Sequence, residues 1–324
     1  MKNQDIWQNI FRSLENQTPV ILLYVLESNG SSPGRQGFFM TVNAHGEMKG
    51  SIGGGIMEHK FVEMAKEKLR AASGELREGQ IKKQVHDKSV AKDQSGMICS
   101  GEQTIWIYEL NAKDKVHISS IIRSLEENKN GTLKLSQAGI EFLETIPEKD
   151  FHFELRSEHD WNYIEKTGYK NHLFIIGGGH CALALSRLMR TMDFYIHLFD
   201  DRKNLNTFIE NDAAHEKTET ENYTRLSELI PSGDHHYVVL MTFGYRTDGV
   251  ALRAIINKKF KYLGMLGSKN KIEKMFEDLR AEGIDESIIQ KIHAPIGLYI
   301  KSQTPEEIAI SIAAEIINVK NSSY

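Results

Sequence analysis

Apolar residues in the first half of the chain recur either at helical spacing or in short unbroken runs, and the two patterns predict different elements. Helices are predicted around Ile6–Leu14, over Ile56–Ala72 and over Asp114–Asn128. Strands are predicted over Val20–Leu26, Phe38–Val42, Ile81–Asp87 and Thr104–Leu110. Between residues 131 and 164, short alternating stretches predict a small antiparallel meander. We therefore expect this half to form a smaller N-terminal α+β domain.

The second half alternates buried strands with helices, which is typical of an α/β domain with a parallel sheet. Strands are predicted over Leu173–Ile176, Phe194–Phe199, Tyr237–Thr242 and Tyr262–Leu266. Thr304, Pro305 and Glu307 have the spacing of a capping box with proline at the first helical position, so a last helix is predicted to begin there. The pattern predicts a C-terminal Rossmann-like, doubly wound parallel sheet, and the polar stretch Lys166–Asn171 divides domains 1–166 and 167–324.

The strand at Leu173–Ile176 runs into a glycine pattern that is typical of phosphate binding. Gly177, Gly179 and Ala182 fit G-x-G-x-x-A, in which the first glycine permits a tight turn and the second lets a phosphate approach the backbone. Ala182 allows close packing of a helix whose N-terminus attracts anions. His180 lies inside this turn and is expected to form a local hydrogen bond. A Rossmann domain that binds no ligand remains the alternative.

Two acids, Asp200 and Asp201, follow the next strand, about 20 residues beyond the glycines. At that spacing either carboxylate is placed to accept hydrogen bonds from a ribose diol, as in a dinucleotide fingerprint. The sequence therefore predicts a nucleotide-like or phosphate ligand at this edge of the sheet.

A second glycine-rich segment opens the predicted helix at Ile56. Gly53, Gly54 and Gly55 are consecutive, and Glu58 falls in the first turn of the helix. Backbone N–H groups of such a loop are a candidate anion site. A tight turn with an acid that is favourably placed on the helix dipole is an equally good interpretation.

Composition describes an ordinary soluble protein and narrows its partners. The chain has 324 residues and a formal net charge of −4, which argues against nucleic acid and anionic membranes as partners. No apolar run approaches the length of a membrane span. Two cysteines, Cys99 and Cys181, form no disulfide framework, so a reducing cytoplasm is expected. Cys99 lies between small residues, where a thiolate suits a soft metal or sulfur transfer, although many cysteines are simply buried.

Several segments, taken in order, resemble the xanthine dehydrogenase accessory protein family, the XdhC/CoxI group. The similar segments are Gly30–Pro33, Gly50–Glu58, Gly96–Gly101, Ile175–Arg202, Tyr262–Lys271, Pro295–Leu298 and Thr304–Ile312. They extend over both predicted domains. Their order and number carry the resemblance, since no single motif decides it.

The resemblance implies a chaperone of the molybdenum cofactor (molybdopterin) that protects the cofactor and supports its sulfuration with a cysteine desulfurase. The chaperone would deliver the cofactor to a molybdenum hydroxylase such as xanthine dehydrogenase, and a homodimer is expected. Cys99 falls on the cysteine of the family's Gly-Met-x-Cys stretch and becomes a candidate molybdenum or sulfur contact. The cofactor-binding residues expected on this basis are Gly53, Gly54, Gly55, Glu58, Cys99, Gly177, Gly179, His180, Ala182, Asp200, Asp201, Arg202, Gly267, Ser268 and Lys269.

The sequence departs from the family pattern at three places. Ile56 stands where the family often has a cysteine, and Phe243 and Tyr245 occupy a region that often carries histidine. Ser100 replaces the glycine that follows the cysteine of the Gly-Met-x-Cys stretch.

Two other functions remain open from the sequence. The Rossmann domain would equally suit an oxidoreductase that uses NAD(P), for which Tyr245, Arg246 and Asp248 are the best candidates for proton transfer. A nucleotide-binding redox sensor is the other alternative.

Overall fold

The computed structural model describes residues 3–71, 79–85 and 101–322. The chain divides into two compact units, Met1–Gly168 and Tyr169–Tyr324. Each unit has its own sheets and its own hydrophobic cores.

The N-terminal unit contains helices and antiparallel strands in mixed order. In chain order its elements are α1 (Gln4–Glu15), β1 (Val20–Gly30), β2 (Phe39–Asn43), β3 (Met48–Gly50), α2 (Gly55–Arg70), β4 (Gln80–Val85), β5 (Gly101–Leu110), α3 (Lys115–Glu126), β6 (Gly131–Ser136), β7 (Gly139–Leu143), β8 (Phe151–Ser157) and β9 (Asp160–Thr167). These bounds confirm the predicted helices and strands to within a few residues, where both are described.

Burial on both faces explains the unbroken apolar run of β1. The first sheet has the strand order β3-β2-β1-β5-β4, so β1 is central. Ile21, Leu23 and Val25 pack in one cluster with residues of α2. The alternate residues of β1 pack on the other face with α1 and α3. Both sets of side chains leave water, which is why no polar alternation is present.

The second sheet of this unit corrects the predicted meander. It is antiparallel, as expected, but its strand order is β7-β6-β9-β8. The two hairpins β6–β7 and β8–β9 are joined by pairing of β6 with β9, whereas a meander would pair β7 with β8. Alternation along a strand indicates its buried face and carries no information about its neighbour.

The C-terminal unit alternates parallel strands with helices. In chain order its elements are β10 (Asn171–Ile176), α4 (His180–Arg190), β11 (Phe194–Asp200), α5 (Asn206–Ile209), β12 (Glu216–Glu219), α6 (Leu226–Leu229), β13 (Gly233–Leu240), α7 (Tyr245–Ile255), β14 (Phe260–Met265), α8 (Lys269–Ala281), α9 (Glu286–Ile289) and α10 (Pro305–Asn321).

The strands of this unit form a doubly wound parallel sheet, which confirms the predicted fold class. The order is β12-β11-β10-β13-β14, and each neighbouring pair is parallel. Leu173 and Ile175 of β10 pack with α4 and α10 on one face. Phe174 and Ile176 pack with α7 and α8 on the other. The chain reverses its winding between β10 and β13, and ligands of such sheets bind at the carboxyl ends of the strands there.

Membrane-spanning helices are absent from the part of the chain that the structure describes: each helix there is too short or too polar to cross a bilayer.

Candidate functional site

The carboxyl ends of β10, β13 and β14 begin the loops of the candidate site side by side. The N–H of Gly177 donates to Phe199 O at 2.8 Å, and that of Met241 donates to Ile176 O at 2.8 Å. Leu266 N–H donates to Leu240 O at 2.8 Å in the same manner. These bonds continue the parallel ladder by one residue, so the loops leave the sheet at one edge.

The glycine turn, which we define as Gly177–Ala182, contains three glycines, and the first and third differ in what an added side chain would meet. Gly177 has φ +107°, and a Cβ there would lie 2.3 Å from Met241 O. The tight turn predicted for Gly177 is therefore confirmed. Gly179 has φ −74°, which any residue adopts, and a Cβ at that position would meet no atom within 4 Å. Nothing in the described protein therefore requires glycine at 179.

The first turn of α4 offers free hydrogen-bond donors next to Gly179. Among the residues that the structure describes, no acceptor meets the backbone N–H groups of Gly179, His180 or Cys181. His180 is exposed, and its imidazole forms none of the hydrogen bonds seen in the described ranges, so its predicted local bond is missing. Ala182 is fully buried in the core beside β10. The turn thus presents unpaired donors and one exposed imidazole at the ligand edge of the sheet.

Asp200 is enclosed by protein donors at the end of β11. Its side chain is fully buried, and its Oδ2 accepts from Gly178 N–H at 2.5 Å. Its Oδ1 accepts from the N–H of Arg202 at 2.8 Å and from Nε of Arg202 at 2.9 Å, and Nη2 of Arg202 donates to Oδ2 at 2.7 Å. Burial raises the pKa of this carboxyl, but the hydrogen bonds from Arg202 and Gly178 outweigh it and the net pKa is lowered. Protein donors thus occupy the positions around Asp200 that the sequence offered to ribose hydroxyls, and Asp201 is the other acid predicted for them.

Asp201 and Arg202 are less enclosed than Asp200. Asp201 is half-buried, and its N–H donates to the hydroxyl of Tyr223 at 3.2 Å. The guanidinium carbon of Arg202 lies 5.8 Å from the ring centroid of Phe243, a side chain that is 86% exposed. Arg202 therefore connects the end of β11 with the loop after β13.

The loops after β13 and β14 are tied together through a buried carboxylate. Asp248 is fully buried, and its Oδ1 accepts from Thr242 N–H at 3.0 Å and from the Thr242 hydroxyl at 2.7 Å. Lys271 forms an ion pair with the other oxygen of Asp248 and donates to Leu266 O at 3.2 Å. Asp248 is thus a structural residue, without the free carboxylate that proton transfer requires.

Tyr245 and Arg246, the other oxidoreductase candidates, differ in their surroundings. The hydroxyl of Tyr245 donates to Asp278, and this hydrogen bond, followed by burial, raises the pKa of the phenol. Arg246 is exposed in the first turn of α7. Gly244, at the N-cap of the same helix, has φ −165°, and a Cβ there would meet nothing within 4 Å. The sequence analysis did not single out Gly244, although its position repeats that of Gly179 one strand away.

Gly267, Ser268 and Lys269 lie at the start of α8, where Ser268 has a capping function. Ser268 is the N-cap, and its hydroxyl accepts from Lys271 N–H at 3.4 Å. A Cβ at Gly267 would lie 2.9 Å from the side chain of Lys271. Lys269 is 82% exposed and 3.9 Å from Glu273. Their predicted contact with a cofactor remains a prediction.

The N-terminal glycine loop, Gly50–Glu58, supplies its own anion. Oε2 of Glu58 accepts from the Ser51 hydroxyl at 2.7 Å, from Ile52 N–H at 2.9 Å and from Gly54 N–H at 3.0 Å. Gly53 has φ +127° and Gly55 has φ +70°, so both need glycine's conformational freedom. The donors predicted for an external anion are thus partly used by Glu58, which is the tight-turn interpretation of this sequence.

Gln103 joins two loops of the N-terminal unit. This side chain is buried, and its Nε2 donates to Gly34 O at 3.0 Å and to Ile52 O at 3.2 Å. Gly101 pairs with Gly30 across β5 and β1. The loop that follows β1 is thereby held against the N-terminal glycine loop.

Of the two cysteines, Cys99 lies outside the described residues. Cys181 is half-buried in the first turn of α4, and burial followed by Glu306 raises the pKa of its thiol. Ile56, which stands at the family's other cysteine position, is 58% exposed.

The Pro295–Leu298 segment is fixed to α10. Gly297 has φ +94°, and a Cβ there would lie 2.3 Å from the Ser311 hydroxyl. Gly297 N–H donates to Glu315 Oε2 at 2.8 Å, and Tyr262 donates to the same oxygen at 2.5 Å. These contacts give the Pro295–Leu298 segment a structural function.

Known protein families match both units. The XdhC Rossmann domain matches residues 173–316, and the XdhC and CoxI family matches residues 13–78. The chain belongs to the XdhC and CoxI family. This XdhC/CoxI-family chain is 22% identical over 327 residues to a probable xanthine dehydrogenase subunit of Bacillus subtilis (strain 168), covering 95% of each protein.

Two further similarities concern a longer relative and a solved structure. The chain is 25% identical over 310 residues to the uncharacterized protein YqeB of Escherichia coli (strain K12), and it spans only 45% of that relative's length. A crystal structure of a xanthine dehydrogenase from Bacillus halodurans has the same fold, with a TM-score of 0.71 and 20% identity over 100% of this chain and 97% of that one. The structural similarity covers the whole length of this chain.

Proposed function

We propose that this XdhC/CoxI-family chain is a maturation protein for a xanthine dehydrogenase-type molybdenum hydroxylase. It binds the molybdenum cofactor, protects it, supports its sulfuration with a cysteine desulfurase and delivers it to the hydroxylase. Family membership and the names of the relatives support the link with xanthine dehydrogenase. A homodimer in the cytoplasm is part of the proposal.

One observation carries the proposed binding site: the open backbone at Gly179. Its dihedral angles suit any residue and no atom lies within 4 Å of its absent side chain, so the fold gives no reason for glycine there. A ligand that approaches the backbone would be such a reason. Molybdopterin ends in a phosphate, and the free N–H groups of Gly179, His180 and Cys181 at a helix N-terminus are suitable donors for it.

The other residues of the glycine turn have different functions in the proposed site. Gly177 sets the direction of the turn, Ala182 lets α4 pack against β10, and His180 supplies an exposed imidazole that can donate to an anion. We assign the thiol near the molybdenum–sulfur centre to Cys99, on the resemblance alone. When bound, the cofactor supplies the molybdenum centre with the sulfur ligand that the hydroxylase needs.

The oxidoreductase alternative has less support from the described side chains. Asp248 is buried against Thr242 and Lys271, and Tyr245 is bound to Asp278. Neither group is free to exchange a proton with a substrate. A redox sensor would need nucleotide affinity, which titration with NAD and NADP measures.

The test is anaerobic gel filtration of the purified protein with molybdenum cofactor, followed by assays of molybdenum and pterin fluorescence. We expect near-stoichiometric retention by the wild type and a loss of about tenfold or more in Gly179→Val, because the new side chain fills the phosphate position. Ala281→Val, at an exposed position in the last turn of α8, is the control. Equal retention by Gly179→Val and the wild type would contradict the proposed site.

A further inference from the structure

We infer that the glycine turn is selective for a terminal phosphate and excludes an attached nucleotide. The inference rests on the proposed function and deepens it: the cofactor form that fits is molybdopterin with a single terminal phosphate, and its dinucleotide form, NAD and NADP do not fit.

The first argument is the state of the ribose position. In Rossmann domains that bind dinucleotides, an acid at the end of the second strand accepts hydrogen bonds from the ribose that follows the pyrophosphate. Asp200 and Asp201 both have this position in the sequence, and Asp201 is half-buried. The carboxylate of Asp200, the last residue of β11, is fully buried. Its oxygens accept from Gly178 N–H and from three N–H groups of Arg202, at 2.5 to 2.9 Å. A ribose diol would have to displace these donors and leave Gly178 N–H and Arg202 without their acceptor, which costs free energy because the Asp200 carboxylate is fully buried.

The second argument is the wall that α5 forms beside the turn. The hydroxyl of Thr207 donates to Gly178 O at 2.6 Å. The ring of Phe208 is so close that a Cβ added at Gly178 would lie 2.9 Å from it, and Phe208 is only 5% exposed. Lys217 closes the far side of α5 by donating to Ile209 O at 2.9 Å. Packed protein therefore fills the β11 side of the turn, where a nucleoside would continue.

The open side of the turn is opposite to this wall. A Cβ added at Gly179 would meet no atom within 4 Å, whereas a Cβ added at Gly178 would lie 2.9 Å from Phe208 and 3.3 Å from Asp200. A phosphate that enters over Gly179 can reach the free N–H groups of α4, but a chain of atoms that leads from it toward β11 meets Phe208 and the Asp200–Arg202 pair. This asymmetry makes Asp200, Arg202 and Phe208 specificity-determining residues.

The experiment compares ligands on the full chain. Retention of the single-phosphate cofactor and of its dinucleotide form is measured by anaerobic gel filtration, and ADP-ribose, NAD and NADP are titrated by calorimetry. We expect the dinucleotide form to be retained at least about tenfold less well, and no saturable binding of the three nucleotides up to about 1 mM.

A variant pair tests the wall itself. Phe208→Ala removes the ring beside Gly178 and should narrow the difference between the two cofactor forms. Ile209→Ala changes an exposed neighbour in the same helix, 57% exposed, and should leave the difference unchanged. The wild-type comparison decides the matter if Phe208→Ala fails to fold.

The outcomes separate this inference from the proposed function. Equal retention of both cofactor forms, or micromolar binding of any of the three nucleotides, overturns the selectivity and leaves a cofactor-binding protein. Retention of neither cofactor form overturns the proposed function, and the inference with it.

Discussion

The backbone N–H of Gly178 donates a 2.5 Å hydrogen bond to Oδ2 of Asp200, and this bond joins the end of β10 to the end of β11. One of the two acids that the sequence pattern offers to ribose, Asp200, therefore holds the glycine turn in place. Its charge is balanced by Arg202 two residues later. At Asp200, an acid–arginine pair occupies the place of the predicted ligand contact.

Removal of the Asp200 carboxylate is expected to destabilise the C-terminal unit. Asp200→Ala leaves Gly178 N–H and Arg202 without an acceptor, and we expect the free energy of unfolding in urea to fall by about 2 kcal/mol. This figure allows for Arg202 being partly exposed. Asp201→Ala is the neighbouring control, with a fall of less than about 1 kcal/mol expected. Equal effects of the two variants would show that Asp200 does not hold the turn.

Stability below neutral pH is expected to depend on His215. Nδ1 of His215 accepts from Ile196 N–H at 3.0 Å, so its protonation breaks this bond. Burial, and next Arg190, lower the pKa of His215 to about 4. Because the unfolded chain binds this proton near pH 6.5 and the folded chain does not until about pH 4, stability falls as pH decreases through that window and levels off below it.

The variant His215→Asn measures this contribution. The amide oxygen of asparagine replaces Nδ1 as acceptor and does not titrate in this range. We expect the variant to lose less stability between pH 6.5 and 4.5 than the wild type, by on the order of 1 kcal/mol, in thermal unfolding followed by circular dichroism. His45→Asn, at an exposed position, should follow the wild-type curve. Identical pH slopes in all three proteins would rule out the role of His215.

Replacement of Gly297 by alanine separates two costs of a side chain. Gly297 and Gly283 both have positive φ, +94° and +83°, but only Gly297 has a neighbour within 3 Å of the added Cβ, the Ser311 hydroxyl at 2.3 Å. We expect Gly283→Ala to cost about 1 kcal/mol for the backbone alone and Gly297→Ala to cost about 2 kcal/mol or more. Urea unfolding measures the free energy of unfolding of both variants. Equal costs would show that the Pro295–Leu298 segment shifts to make room for the added Cβ at little cost in free energy.

The two cysteines offer a matched pair for the proposed sulfur chemistry. Cys99→Ser should lower cofactor retention or transfer to the hydroxylase by about tenfold, because a hydroxyl replaces a soft thiolate ligand poorly. The unfolding midpoint should stay unchanged. Cys181→Ser should leave transfer near the wild-type level. If Cys99→Ser retains the cofactor and activates the hydroxylase as well as the wild type, the assigned role is wrong.

Much of the fold could be predicted because the relevant signals are local. The run Val20–Leu26 is apolar without interruption since β1 is buried on both faces. The capping box of Thr304 and Glu307 is confirmed, with Thr304 accepting from Glu307 N–H at 3.2 Å. The turn at Gly177 was equally predictable because few other residues adopt its φ.

The parts of the site that the sequence did not reveal depend on tertiary partners. The sequence made Asp248 a candidate for proton transfer, but in the fold its charge is neutralised by Lys271, which is 23 residues away in the chain. Glu58 and Asp200 were both expected near external ligands, but each accepts hydrogen bonds from backbone N–H groups nearby in space. The sequence identifies a carboxylate and its neighbours along the chain, but the tertiary structure determines which hydrogen-bond donor the carboxylate contacts.

Glu58 has a consequence for any anion that would use the N-terminal glycine loop. The Glu58 carboxylate belongs to α2, the helix that follows the loop, and it already accepts from the backbone N–H groups of the loop. Because it is part of the same chain, its effective concentration at these donors is high, and a free anion has to compete with it. A phosphate in millimolar solution would have to bind considerably more tightly than this tethered group to replace it. The loop is therefore already assembled without an external ligand, and recruitment of its backbone donors by a cofactor would require the Glu58 carboxylate to move away.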